Sequence, residues 1–226
     1  MRKIMLNGRW ELAEAGKDTL CAVQVPGSVL SGLYGAGKIE DPFYRTNEDA
    51  TRELFWKDYE FCRTFVVAEE ALKEEKVALA VTEEVLYEKE VILVCEGLDT
   101  LADIYINGKK AGSTDNMHRT WKLDVKGFLH SGENQIRIVF RSVFKYIEDY
   151  EYEENKEIHY VPCGGMKGNQ LIRKAHCMFG WDWGPQTIDA GIFRDIYLEA
   201  YSHPRIEDVK ITQRHGDNAV DVCTTV

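Results

Sequence analysis

No apolar run in the sequence is long enough to cross a bilayer, and the one nearest the start, Ile4-Met5-Leu6, breaks at Asn7-Gly8, too soon for a secretory leader. A cytoplasmic protein that does not engage membranes is therefore expected. Positive charge is also scarce: 28 Lys and Arg stand against 38 Asp and Glu, a formal net charge of −10. Nucleic-acid binding draws most of its affinity from basic side chains, so DNA, RNA and anionic lipid surfaces are poor partners. CxxC and HxxxH spacings are missing. The six cysteines, Cys21, Cys62, Cys95, Cys163, Cys177 and Cys223, are scattered, and reduced, mostly buried thiols are expected. A zinc set would have to gather Cys163, His176 and Cys177 with His159, and adjacent His-Cys is an awkward ligand pair, so no metal site is expected. Long helices alternating with strands are absent as well, which leaves no segment that could build a (β/α)₈ barrel.

What the sequence does contain is β pattern. Of its 226 residues, 44% are hydrophobic, ample for a buried core. Most of them fall with a period of two, or in short β-rich runs between turn residues. The expected strands are Arg9 to Leu12, Asp58 to Val67, Val77 to Val81, Val91 to Cys95, Leu101 to Ile106, Trp121 to Val125, Gln135 to Phe140 and Phe193 to Tyr201. Asn107-Gly108 between two extended arms predicts a type I′ hairpin, which needs positive φ at both central positions. Helices are expected to be short and peripheral. One follows a Ser28 N-cap and stops near Gly35, a second runs from Asn47 to Leu54, and Ser142 to Glu157 reads equally as a helix or a solvated acidic loop. Many short strands with few helices point to an antiparallel sandwich of the jelly-roll kind.

After Tyr201 a proline, Pro204, resets the backbone, and the residues from Arg205 onward alternate again around a Gly216-Asp217-Asn218 turn. Two strands cannot bury a core alone. The expected division is residues 1–203 as one β-sandwich domain and 204–226 as the first strands of a second, immunoglobulin-like β-sandwich whose remainder lies outside this sequence.

Several segments, in order along the chain, resemble the N-terminal domain of β-mannosidases of glycoside hydrolase family 2. They are Val25-Pro26-Gly27-Ser28-Val29-Leu30; Asp41-Pro42-Phe43-Tyr44-Arg45-Thr46-Asn47-Glu48; Trp56 to Phe65; Glu96-Gly97-Leu98-Asp99-Thr100 running into Ile104-Tyr105-Ile106-Asn107-Gly108; Asn116-Met117-His118-Arg119; and Ile172 to Pro185. The Gly-Leu-Asp-Thr to Asn-Gly stretch is shared across the family, β-galactosidases and β-glucuronidases included. Phe179-Gly180-Trp181-Asp182-Trp183-Gly184-Pro185 looks like the β-mannosidase version. The resemblance implies a galactose-binding-like jelly-roll β-sandwich that supplies a loop to the glycone subsite of a distant barrel. Trp181 and Asp182 would make the sugar contact there, with Arg173 and His176 as weaker substrate-binding candidates and Tyr44 and Arg45 bordering the mouth.

The residue types fit that implied role. An indole gives a flat apolar surface to the C–H face of a pyranose, and a carboxylate accepts charge-assisted hydrogen bonds from vicinal hydroxyls. In an extended strand Trp181 and Asp182 would face opposite ways, so the role needs a tight turn or bulge at Gly180 or Gly184. The plain readings are that Asp182 is a structural acceptor bonded to backbone or to Arg173, that Arg173 pairs with an acid, and that His176 is a satisfied loop residue. Trp183, Trp10, Trp56 and Trp121 are expected in the core. Asp99 and Thr100 are expected to organise the turn into the hairpin by hydrogen bonds to backbone.

By the same resemblance the parent enzyme is a retaining β-mannosidase with no cofactor. Its two catalytic carboxyls, about 5–5.5 Å apart, sit on the barrel, its substrate is a β-mannoside or manno-oligosaccharide, and the chain alone is inactive. Two other readings stand beside it: an autonomous carbohydrate-binding module, and the equivalent domain of a family 2 β-galactosidase or β-glucuronidase.

Overall fold

The computed structural model describes residues 2–68, 80–82, 90–148, 166, 168–201 and 205–226. In chain order the strands are β1 (Arg2–Met5), β2 (Gly8–Glu14), β3 (Thr19–Val25), β4 (Gly27–Ser28), β5 (Tyr59–Ala68), β6 (Ala80–Thr82), β7 (Glu90–Cys95) and β8 (Leu98–Asp99). They continue as β9 (Ala102–Ile106), β10 (Lys109–Thr114), β11 (Trp121–Asp124), β12 (Gly132–Phe140), β13 (Gly191–Ile192), β14 (Ile196–Tyr201), β15 (Lys210–His215) and β16 (Val220–Thr225). Three short α-helices accompany them among the described residues: α1 (Val29–Gly35), α2 (Asn47–Leu54) and α3 (Val143–Glu148).

The larger sheet runs β10-β9-β12-β5-β2-β3, antiparallel throughout, with β6 added parallel to the end of β5. A four-stranded antiparallel sheet, β1-β14-β7-β11, shares its core. Alternation decides which side chains enter that core. In β12, Ile136, Ile138 and Phe140 are buried while Gln135 is exposed and Arg137 and Val139 are half-buried, and in β9 Ile104 and Ile106 are buried beside half-buried Asp103 and Tyr105. Phe61 and Phe140, paired edge to face at 5.4 Å, and Trp10, whose Nε1 donates to the Leu6 carbonyl at 2.8 Å, fill the middle. Truncating such a phenylalanine to alanine costs about 3–5 kcal/mol. A mainly β, two-layered sandwich is what the alternation requires.

Local signals are realised closely. Asn107 and Gly108 have φ of 51° and 76°, the type I′ pattern, and the Asn107 side chain bonds the Phe128 carbonyl, Asn134 and the Gln135 N–H. That amide is occupied by the hairpin itself. Ser28 caps α1 in a reciprocal capping box with Ser31, and α1 ends at Gly35. Residues 143–148 of the acidic stretch are helical, whereas its continuation to Glu157, and most of the expected Val77 to Val81 strand, lie outside the described residues.

Three expectations are corrected in whole or in part. Trp56 is 40% exposed and stacks on Phe144 at 5.2 Å, a rim contact in place of a core one, because it follows α2 before β5 enters the sheet. Trp121 meets its expectation in part: it packs against the core but is only half-buried, its Nε1 bonded to the Asn116 carbonyl and its ring under Arg119. The thiols are not mostly buried: Cys95 is, Cys21 and Cys62 are half-buried, and Cys177 and Cys223 are exposed, on a loop and on the last strand. These five are free, and Cys163 lies outside the described residues. Burial pushes the Cys95 thiol up to about 12 and the Cys62 thiol up to about 11, so both are poor nucleophiles at neutral pH.

The hairpin β15-β16 sorts its residues by face. Val209, Ile211, Val220 and Val222 share one side and are all exposed, while Lys210, Thr212, Arg214 and Asp221 share the other. Its approach is tied to the sandwich by Arg205, which bridges Glu199 and Glu207, and by Lys122 to Glu207.

Candidate functional site

The segment from Ile172 to Ala190 carries all four sequence-predicted site residues and contains no strand. Its roots are apolar: Ile172, Phe179 and Ile188 are 4%, 0% and 1% exposed. Alternation at Ile172-Arg173-Lys174 sends Arg173 outward and Lys174 inward beside Ile172. Lys174 is 1% exposed, and its Nζ donates to both Asp99 carboxylate oxygens at 2.5 Å and to the Asp189 carbonyl at 2.6 Å. Three donors meet three acceptors, and none of the ammonium's hydrogen-bonding capacity is left unused. Asp99 also accepts from the Thr100 hydroxyl, and the Thr100 carbonyl accepts from Thr114. Asp99 thus anchors the loop through a buried ion pair instead of shaping its own turn by backbone hydrogen bonds.

Asp189 closes the other end of the loop. Its Oδ1 accepts from the Leu30 N–H at 3.1 Å and the Ala190 N–H at 2.8 Å, at the start of α1. Burial pushes its carboxyl up to about 6, against the Ser28, Leu30 and Ala190 hydrogen bonds and the Lys174 charge, which pull it down. Asp189 also lines a cleft of about 380 Å³ with Leu30, Tyr34, Pro42, Phe43 and Met178, which joins α1, the Asp41–Arg45 loop and the turn before Phe179. In that loop Phe43 and Tyr44 are exposed and Arg45 lies over the Tyr44 ring at 5.1 Å.

The tip of the segment is the reverse of its roots. Gly180 has φ of +87°, and the Trp181 and Gly184 N–H groups each donate to the other residue's carbonyl at 3.3 Å, closing a tight turn. The conflict of alternation is thereby removed: the chain is not extended between Trp181 and Asp182. Trp183 is 80% exposed, correcting the core expectation, because a two-residue connection leaves it no layer to pack into. Its ring lies 5.2 Å from that of Trp181, itself 45% exposed. Asp182 is exposed and has no hydrogen-bond or ion-pair partner among the described residues, so neither backbone nor Arg173 holds it. Arg173 and His176 are exposed too, and no hydrogen bond or ion pair among the described residues joins any two of the four. The Arg173 main chain pairs with Asn116 and accepts from the Met117 N–H, while His176 opens a 3₁₀ turn that ends at Phe179. Two indoles and a free carboxylate on one small turn form a surface suited to a hydroxylated ring.

Lys174, Asp189 and Gln186 were not singled out in the sequence. A readable signal existed for Lys174, the in-out-in order beginning at Ile172. The other two depend on contacts across 138 to 159 residues.

Residues 10–194 match the family model described as glycosyl hydrolase 2 galactose-binding domain-like. The β-mannosidase of Mus musculus is 30% identical over 202 residues, covering 87% of this chain and 21% of that protein. A probable β-mannosidase of Caenorhabditis elegans is 29% identical over 224 residues, 94% of this chain and 23% of that protein. Among solved structures, a β-D-mannosidase from Dictyoglomus thermophilum superposes with a TM-score of 0.79 at 31% identity, over 98% of this chain and 25% of that one. The chain therefore spans about a fifth to a quarter of the length of these relatives. It belongs to the galactose-binding-like domain family of glycosyl hydrolase 2.

Proposed function

We propose that this chain is the sugar-recognition domain of a β-mannosidase, and that its Trp181–Gly184 turn forms part of the glycone subsite. The observation that carries the reading is an exposed carboxylate, Asp182, without a partner among the described residues, flanked in sequence by two exposed tryptophans whose rings lie 5.2 Å apart, on a turn whose roots are buried. A carboxylate with no structural task is available to accept hydroxyl hydrogen bonds, and the relatives that cover most of the chain are named β-mannosidases. The acid/base and nucleophile of a retaining reaction, about 5–5.5 Å apart, come from a barrel elsewhere in a longer polypeptide. In this reading Asp182 and Trp181 touch the sugar, while Arg173 and His176 sit on the same segment as flanking contacts. The chain by itself is inactive.

In the full-length enzyme, Asp182→Ala should lower kcat/KM for an aryl β-mannoside by about 10²-fold, the loss of roughly 2–3 kcal/mol from a charged hydrogen bond. Unchanged kinetics in a folded variant would overturn the assignment. An aryl β-galactoside or β-glucuronide hydrolysed faster than the mannoside would transfer the domain to a sister activity. Millimolar or tighter mannoside binding by the isolated chain would make it an autonomous module.

The division into residues 1–203 and 204–226 is supported by one face of the β15-β16 hairpin, which exposes Val209, Ile211, Val220 and Val222 beside Gln213, His215 and Thr224 with no cover among the described residues. We assign it to an immunoglobulin-like sandwich completed by later sequence. Amide exchange in the full-length protein tests this: protection of β15 and β16 equal to that of β12 is expected, and rapid exchange counts against it. A cytoplasmic location fits the five free thiols, and oxidised pairs in protein isolated from cells would argue for an exported one.

A further inference from the structure

The turn that carries Trp181 and Asp182 is braced from one side by Gln186. Gln186 follows the turn directly after Pro185. Its main-chain N–H donates to Glu48 Oε2 at 3.1 Å, and its side-chain Oε1 accepts from the Arg52 guanidinium. Glu48 and Arg52 are four residues apart on α2 and so present one face of the helix to the loop. The middle of the Gln186 side chain lies across Gly180: a Cβ built there would stand 2.4 Å from Gln186 Cγ and 3.3 Å from its Nε2. The Gln186 side chain therefore roofs the residue just before the turn, and Gln186 itself is fixed to α2. Gly180 is required twice over, by its φ of +87° and by this contact.

We propose that Gln186, clamped by Glu48 and Arg52, is the positioning residue that sets the angle at which the Trp181–Gly184 turn presents its carboxylate and indoles. Gln186 need not meet substrate; its work is done through the turn it holds. The kinetic part of this inference rests on the functional reading above, whereas its structural part does not.

Two measurements separate them. The Trp181 and Trp183 rings, 5.2 Å apart at 52°, should give an exciton couplet in the far-ultraviolet circular dichroism, identified as the difference between the parent chain and Trp183→Phe. Gln186→Ala should abolish the couplet without unfolding the protein, Gln186→Glu, which keeps the Gly180 contact and the Arg52 pairing, should restore it, and Asp182→Ala should leave it intact. A couplet unchanged in Gln186→Ala overturns the proposal. In the full-length enzyme Gln186→Ala should lower kcat/KM for an aryl β-mannoside on the order of 10-fold or more, as misplaced contact groups do. The double variant Asp182→Ala/Gln186→Ala should lose clearly less than the product of the two single losses, since with Asp182 gone only the indoles are left for Gln186 to position. Multiplicative losses would show that Gln186 acts by another route and overturn the positioning role. If Asp182→Ala has normal kinetics while Gln186→Ala loses the couplet, the clamp stands and the sugar assignment falls.

Discussion

Within a single 19-residue segment, Ile172 to Ala190, charge is handled in two opposite ways. At its roots Lys174 and Asp99 are withdrawn from water, and the lysine satisfies all its donors on Asp99 and the Asp189 carbonyl. At its tip Asp182, between Trp181 and Trp183 in sequence, stands in solvent with no partner among the described residues. The first arrangement is self-sufficient, and its hydrogen bonds are consumed in fixing where the loop leaves and re-enters the core. The second is left incomplete, which is the condition for recognising something else. A loop can hold unsatisfied groups in a defined place only if its ends are over-determined, and here a buried ion pair, a helix-capping carboxylate and three apolar side chains supply that.

The comparison can be broken most severely at the root. Lys174→Ala leaves the Asp99 carboxylate buried without its partner and should cost about 3–5 kcal/mol in urea unfolding, whereas the Asp99→Asn/Lys174→Met pair should recover most of it. A small loss in the single variant would mean that water reaches Asp99 and that the root is not dry.

The next effect in size comes from Asp189. A carboxyl raised from 3.8 to about 6 holds its proton in the folded chain at pH values where the unfolded chain has released it. Folding therefore gains from this group as pH falls through about 6, with the gain complete below 3.8, and loses it again as pH rises. Asp189→Asn can still accept from the Leu30 and Ala190 N–H groups but cannot titrate. Its stability relative to the parent should therefore fall by about 2.5 kcal/mol between pH 7 and pH 4. Parallel stability curves for the two proteins would contradict the shift.

Ser28→Ala, which removes the α1 cap beside Asp189, should cost about 1 kcal/mol. Trp183→Ala at the tip should change stability by less than about 0.5 kcal/mol, despite being the largest truncation of the set, because an 80% exposed ring has little burial to lose. A large destabilisation there would place Trp183 back in the core and erase the contrast between root and tip.

Much of the sandwich was legible. Period-two alternation in Gln135 to Phe140 and Ala102 to Ile106 specifies which side chains face the core, and Asn107-Gly108 specifies its turn through local backbone sterics alone. Ser28 and Asn47 to Leu54 announce their helices for the same local reason. The candidate tip was legible by composition and by family likeness, and a tight turn at Gly180 or Gly184 was expected there, but the exposure of Trp183 was not legible. Trp183 read as core because a tryptophan most often is, and only the Trp181–Gly184 closure, two residues wide, puts it in solvent.

The sequence by itself determined the β class, the hairpin at Asn107-Gly108, the Ser28 cap of α1, the excess of acidic over basic residues and the unusual concentration of Trp, Asp and Gly between Gly180 and Pro185. Each of these follows from interactions within a few residues, or from composition. Only the tertiary structure decided that Lys174 is buried on Asp99, 75 residues away, that Asp189 caps a helix 159 residues earlier, and that Gln186 is clamped from α2 across 138 residues. The physical reason is that a charge's environment depends on which distant groups displace water from it. No local pattern records that.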